Sequence, residues 1–218
     1  GGLIYNTWLD KPLSFAGRVM VRQKDRIETR LLSIDEDILI IPNLAIHMNR
    51  TINSGYIYNP SKDLLPMFAL DIDESFDFKE YLKNKLELNG EDEVLAFDLF
   101  LYNRQKATLI GMNREFLASG REDDLTSCYS SLLGFMESQN QVAACNVFVA
   151  FDNEEVGSLT KQGANSTFLK ETLKRISDIL GINVDDYETR IAASTLISID
   201  NAHADHPNHL EIHDQTSP

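Results

Sequence analysis

The chain has 218 residues, 43% of them hydrophobic, and a formal net charge of −14, which is length and apolar content enough for one large domain or two small ones. So acidic a surface repels polyanions and argues against nucleic acid or an anionic membrane face as the main partner. The longest apolar run, from Val142 to Phe151, falls far short of the roughly 20 residues that a helix needs to cross a bilayer.

The chain opens on Gly1-Gly2-Leu3, without an initiator Met or a signal-peptide pattern, and from His213 onward it is irregular and polar. It therefore reads as a fragment of a longer protein. Cys128 and Cys145 sit inside apolar patterns, at no spacing that suggests a disulfide framework or a zinc knuckle. Buried, inert thiols in a reducing, cytoplasmic compartment are the expectation.

From Leu13 to Asn43 the pattern is strand-like, with Val19 and Val21 flanking Met20 and β-branched runs at 27–34 and 38–41. Phe78, Leu82 and Leu86 predict a helix over about 77–88, with Ser75 as its cap and Asn89-Gly90 as its stop. Val94 to Tyr102 returns to strand composition. Beyond about residue 105 the pattern changes. Leu125, Cys128, Tyr129, Leu132, Leu133 and Met136 follow helical spacing, and 142–151 reads as a strand covered on both faces. Helices over about 167–180 and 185–193 follow, then a short buried strand at 196–199. Helices alternating with buried strands predict an α/β layer with a mostly parallel sheet. The expected organisation is a β-rich part over 1–105 and an α/β part over 106–218.

In open α/β sheets ligands gather beyond the carboxyl ends of strands. That rule selects Asp152-Asn153-Glu154-Glu155 after Phe151 and Asp200-Asn201-Ala202-His203 after Ile199; Glu122-Asp123-Asp124 adds acids at a helix start. Each group has a plain structural reading: Asp123 or Asp124 as a helix cap, Glu154-Glu155 as a solvated loop, Asp200 as turn chemistry. Taken together, carboxylates at two strand ends and a helix start repel one another unless a cation or proton neutralises them, which points to a divalent metal site. His203, His206 and His209 have spacings of three, but Pro207 interrupts any helix that would align them on a zinc ion. No Gly-x-Ser-x-Gly, Gly-x-Gly-x-x-Gly or P-loop pattern occurs.

Phe151-Asp152-Asn153-Glu154-Glu155-Val156-Gly157-Ser158 closely resembles the Phe-Asp-x-Glu-Glu-Val-Gly-Ser signature of the aspartyl aminopeptidases, the M18 metallopeptidases. Further segments agree in order along nearly the whole chain. Tyr5 to Val19 is similar to Trp-Ser-Thr-Trp-Phe-Asp-Arg-Asp-Leu-x-x-Ala-Gly-Arg-Val, and Ile41 to His47 to Ile-Pro-x-Leu-Ala-x-His. Arg121 to Leu125 resembles Arg-Leu-Asp-Asn-Leu, and Ser198 to Asn208 resembles Ser-x-Asp-x-Ala-His-Ala-x-His-Pro-Asn.

The resemblance implies part of a zinc-peptidase-like α/β domain carrying an inserted β-rich dimerisation domain. It implies an aminopeptidase that releases N-terminal Asp or Glu from peptides by a two-metal, metal-hydroxide mechanism with two divalent ions, zinc by preference. Carried over by position, Asp123 would bridge the metals, Glu155 would bind one and Asp200 the other, and Glu154 would be the general base. His47 would assist substrate binding at a neighbouring subunit of a homo-oligomer in which dimers build a larger assembly, and His203 and His206 would lie near the site. Nucleic acid and membrane are not expected partners. The family's two terminal metal histidines, one in a His-Thr-Asp-Ser-Pro motif, have no counterpart in this sequence, and Arg121-Glu122-Asp123-Asp124-Leu125 departs from its motif at two positions. The alternatives are a non-catalytic oligomerising or peptide-binding relative that lacks those histidines, and a neighbouring di-metal peptidase with a different side-chain preference.

Overall fold

A computed structural model describes residues 2–138, 144–212 and 216. Val142 and Ala143, which open the long apolar run, and His213 lie outside the described residues. The chain forms two compact units, Leu3–Gly120 and, with the first residues of the chain, Arg121 onward.

The first unit is organised by strand β1, Leu13–Gln23, with β2, Arg26–Ser33, and β3, Glu93–Asn103, paired antiparallel on either side of it. Lys24 turns the chain between β1 and β2 at a positive φ of 53°, and the register runs from Gln23 opposite Arg26 to Ala16 opposite Ser33. Side chains alternate across a strand, so Leu13, Phe15, Val19 and Val21 share the covered face and are buried. Leu32 of β2 and Val94 of β3 join them. Gly17 lies opposite Leu99, where a Cβ would collide with the backbone carbonyl oxygen of Asp98. Only glycine lets the two strands approach this closely.

Between β2 and β3 lie the single turn α1, Pro60–Asp63, capped by Asn59, and helix α2, Phe78–Lys85. Leu82 of α2 is fully buried in the core. Around it Phe15, Phe68, Phe78 and Tyr81 pack edge-to-face or tilted at 5.4–6.4 Å between ring centroids, and Phe78 and Tyr81 stack at 5.9 Å. The cap is Asp77, whose carboxylate accepts the Lys79 N–H at 2.8 Å, and not Ser75 as the sequence predicts. Ser75 instead donates to Asp73, because a hydroxyl beside an acid two residues back closes a local turn first. Past β3, the Arg104 guanidinium donates to both Asp35 and Asp37, and its backbone N–H donates to the Pro12 carbonyl at 3.1 Å. The guanidinium holds the Asp35 carboxyl below its ordinary range. Strands β4, Thr108–Ile110, and β5, Phe116–Ala118, form a small separate hairpin.

The second unit carries helices α3, Glu122–Glu137, α4, Phe168–Ile179, and α5, Val184–Ala192, each where the apolar spacing places one. Asn183 caps α5 by accepting the Asp186 N–H at 2.9 Å. The strands predicted around them are not seen: the described residues 144–151 and 196–199 belong to no strand. An apolar run becomes a strand only when a neighbour completes its hydrogen-bond ladder, and both sheets among the described residues belong to the first unit. Leu196 and Ile197 are instead exposed. The cysteines are free, but their burial departs from expectation, for Cys128 is half-buried and Cys145 exposed. No described helix is long and apolar enough to cross a membrane.

Leu82→Ala is expected to lower unfolding free energy by about 2–5 kcal/mol, the usual cost of a truncated core leucine, and Gly17→Ala by about 1–3 kcal/mol through overpacking. Leu31→Ala, at a position 84% exposed, should stay within about 0.5 kcal/mol. Urea denaturation of the three variants checks this, and equal losses at all three sites would contradict the assigned core.

Candidate metal centre

Two segments of the second unit converge on a carboxylate cluster. Asp123 and Asp124 stand at the head of α3, and Asp200 follows the apolar residues 196–199. One carboxylate oxygen from each of the three lies within 4.8 Å of the others. The start of α3 is unusual. Arg121 has a positive φ of 63°, Asp123 and Asp124 have non-helical backbone angles, the peptide between them is cis, and regular helix begins only after them. No side chain caps this end, so neither aspartate plays the capping role that the sequence leaves open.

Asn201 fastens the two segments together. Its Nδ2 donates to the Glu122 carbonyl at 2.8 Å and to Thr126 Oγ1 at 2.6 Å, and its Oδ1 accepts from Ser127 Oγ. Its backbone N–H donates to the Asp200 carboxylate at 2.7 Å.

The cluster's electrostatics are those of crowded anions. The Asp123 carboxyl is raised above its ordinary 3.8, first by burial, then by the charge of Asp200 and a hydrogen bond with it, then by the charges of Glu155 and Asp124. Asp123 as a residue is exposed, so the neighbouring carboxylates are the part of this shift that a substitution can remove. Asp124 Oδ1 is buried and has no hydrogen-bond partner, a costly state for a carboxylate oxygen unless a cation or donor satisfies it. An all-oxygen donor set with an orphaned buried oxygen fits a divalent cation.

The other predicted residues are placed as follows. Glu154 and Glu155 are exposed in the loop after Phe151, and Glu155 acts on Asp123 through its charge without joining the three-carboxylate group. The loop is braced from within. Asn153 adopts the left-handed conformation, φ 60°, accepts the Gly157 N–H at 2.9 Å and donates its own N–H to Asp152. His47 belongs to the first unit, exposed in a turn whose Met48 N–H donates to the Ala45 carbonyl at 2.8 Å. His206 and His209 lie with ring centroids 5.0 Å apart, and neither joins the carboxylates. The sequence places Asp124 in the acidic group at the helix start, but the ligand set that the resemblance implies omits it, and sequence reasoning missed Asn201 as the tie. Nothing in the sequence marks Asn201 apart from its place after Asp200.

The family model of the aminopeptidase I zinc metalloproteases, M18, matches residues 1–217. The chain belongs to the M18 family. It is 46% identical over 222 residues to a probable M18 family aminopeptidase 2 of Clostridium novyi, covering 100% of this chain and 51% of that protein. A probable M18 family aminopeptidase 2 of Clostridium acetobutylicum is also 46% identical, over 95% of this chain and 49% of its own length. Among solved structures, Ape4 in its complex with Nbr1 superposes with a TM-score of 0.79 at 30% identity, covering 99% of this chain and 46% of that one. The M18 aminopeptidase of Thermotoga maritima superposes at 0.74 with 20% identity, over 99% of this chain and 50% of that one. The fold is therefore that of the M18 aminopeptidases, α and β elements mixed. The chain spans about half the length of the curated relatives it matches.

In the metal-free protein the Asp123 carboxyl is expected to titrate above 3.8, and Asp200→Asn should bring it back toward that value. The folded form holds this proton more tightly than the unfolded chain. The group therefore favours folding at low pH, and its contribution is lost as pH rises through the raised value. An NMR titration of the aspartate carboxyls checks the direction; an Asp123 midpoint at or below 3.8 contradicts the clustering.

Proposed function

We propose that this chain supplies the carboxylate side of the active site of a metal-dependent aminopeptidase that releases N-terminal Asp or Glu from peptides. The observation that carries the reading is the Asp123, Asp124 and Asp200 cluster, with its orphaned Asp124 oxygen, in a chain of a zinc metalloprotease family. Asp123 and Asp200 would hold two zinc ions between them, with Glu155 a further ligand from the 152–158 loop. Bound zinc supplies a Lewis acid that polarises the scissile carbonyl and lowers the pKa of water.

The chain's own residues do the rest. Glu154, one residue from a ligand and in solvent, accepts the proton of the attacking water and returns it to the leaving amine. The bracing of its loop by Asn153 and Gly157 supports a fixed approach for that carboxylate. His47, exposed at the end of the Ile41–His47 segment that resembles the family's motif, assists substrate binding at a neighbouring subunit. The first unit mediates dimerisation in a larger homo-oligomer; a related M18 structure is described as a dodecamer. The free thiols of Cys128 and Cys145 support a reducing, cytoplasmic setting.

The test uses the full-length protein. Glu154→Gln is expected to retain zinc and to lose at least about 100-fold in turnover, the scale of general base catalysis, on peptides with N-terminal Asp. Asp200→Asn is expected to lose zinc affinity, measured by competition with a chromophoric chelator. A panel of N-terminal residues should show a preference for Asp and Glu. Undiminished turnover by Glu154→Gln refutes the base assignment, and a flat panel refutes acidic specificity.

A further inference from the structure

Among the described residues no backbone–backbone hydrogen bond joins the Asp200 segment to α3. Residues 196–200 belong to no strand, and α3 is irregular where its two aspartates stand. Three carboxylates that repel one another are nonetheless held within 4.8 Å. Electrostatics alone would drive the segments apart, so some attractive contact must fix the distance.

We propose that Asn201 is a positioning residue whose side-chain amide clamps the Asp200 segment to the first turns of α3 and thereby sets the spacing of the metal-ligating carboxylates. The amide is saturated in a single orientation. The Glu122 carbonyl can only accept, so the atom bonded to it at 2.8 Å is the Nδ2 donor, and the oxygen is left to accept from Ser127 Oγ. The second Nδ2 hydrogen goes to Thr126 Oγ1 at 2.6 Å, while Thr126 donates its own hydrogen to the same Glu122 carbonyl at 2.8 Å. Ser127 is buried. Three residues at the head of α3, one through its backbone and two through their hydroxyls, thus hold one asparagine. They bracket the two aspartates in sequence, with Glu122 before them and Thr126 and Ser127 after. The adjacent backbone N–H of Asn201 orients the Asp200 carboxylate directly, at 2.7 Å. A neutral amide can hold the segments without disturbing the cation, whereas a lysine or arginine in the same place would compete with it for the carboxylates.

This inference rests on the metal-site reading of the cluster. Its test therefore measures zinc alone, by chelator competition on the full-length protein, with Asp200→Asn as the control for that reading. Asn201→Ala is expected to weaken zinc binding by about 10–100-fold, the usual effect of removing a group that orients a ligand, and to alter the visible absorption spectrum of the cobalt-substituted protein. Thr126→Val, which keeps shape and removes the hydroxyl that accepts from Asn201 and donates to the Glu122 carbonyl, leaves the other two bonds of the asparagine amide in place and should shift zinc affinity in the same direction by less. If wild type binds zinc, Asp200→Asn weakens it, and folded Asn201→Ala and Thr126→Val both bind like wild type with an unchanged cobalt spectrum, the positioning role is overturned while the metal site stands. If Asn201→Ala does not fold, as judged by circular dichroism, Thr126→Val alone decides. Failure of wild type to bind zinc, or of Asp200→Asn to weaken it, overturns both.

Discussion

Mutual repulsion of carboxylates is the constraint from which the second unit is best understood. At close range and in partly desolvated surroundings like charges disfavour one another's ionised form, and the raised Asp123 carboxyl registers that repulsion directly. Such a cluster persists only where the surrounding framework over-determines it. Here the framework is a run of neutral hydrogen bonds from Asn201 to the head of α3. It holds the acids without neutralising them, leaving that to a cation. A buried Asp124 oxygen with no partner fits the same account.

The first unit rests on a different balance of forces. Its core is a single covered sheet face, and α2 with its aromatic neighbours provides the cover. Charge is kept at the margins: Arg18 with Asp98 and Arg22 with Glu93 pair across β1 and β3 on the outer face, where both partners are solvated and such pairs contribute little. The Arg104 bracket is of another kind, because one guanidinium organises two acids and ties the end of β3 to the segment after β2.

Much of the first unit is legible in the sequence because alternation is a local signal. Val19 and Val21 announce the covered face of β1, and Phe78 with Leu82 announces α2. The cap is ambiguous because Asp77 and Ser75 are both competent, and only the turn at Asp73 decides between them. In the second unit the helices are legible from their spacing, but the runs at 144–151 and 196–199 are not strands. Apolar composition says that a segment wants cover without saying which partner provides it. The cluster shows the same division. Asp123 and Asp200 follow from rules about strand ends and helix starts. The part played by Asn201 depends on contacts to residues 74–79 positions earlier in the chain, and no pattern in the sequence encodes those.

The sheet order has a kinetic corollary. β1 and β2 are joined by a tight turn and can zip locally, but the other side of β1 waits for β3, with Arg18 and Asp98 separated by 80 positions. Closing that long loop gains nothing until the ladder forms, so the step is intrinsically slow. During synthesis the nascent hairpin would present a bare β1 edge, interrupted by Gly17, until β3 has left the ribosome at roughly 5–20 residues per second. Edge-to-edge association is the hazard in that interval. The same glycine that admits β3 so closely also leaves the waiting edge a poorer template for a stranger, since glycine weakens a strand that has nothing yet to pack against.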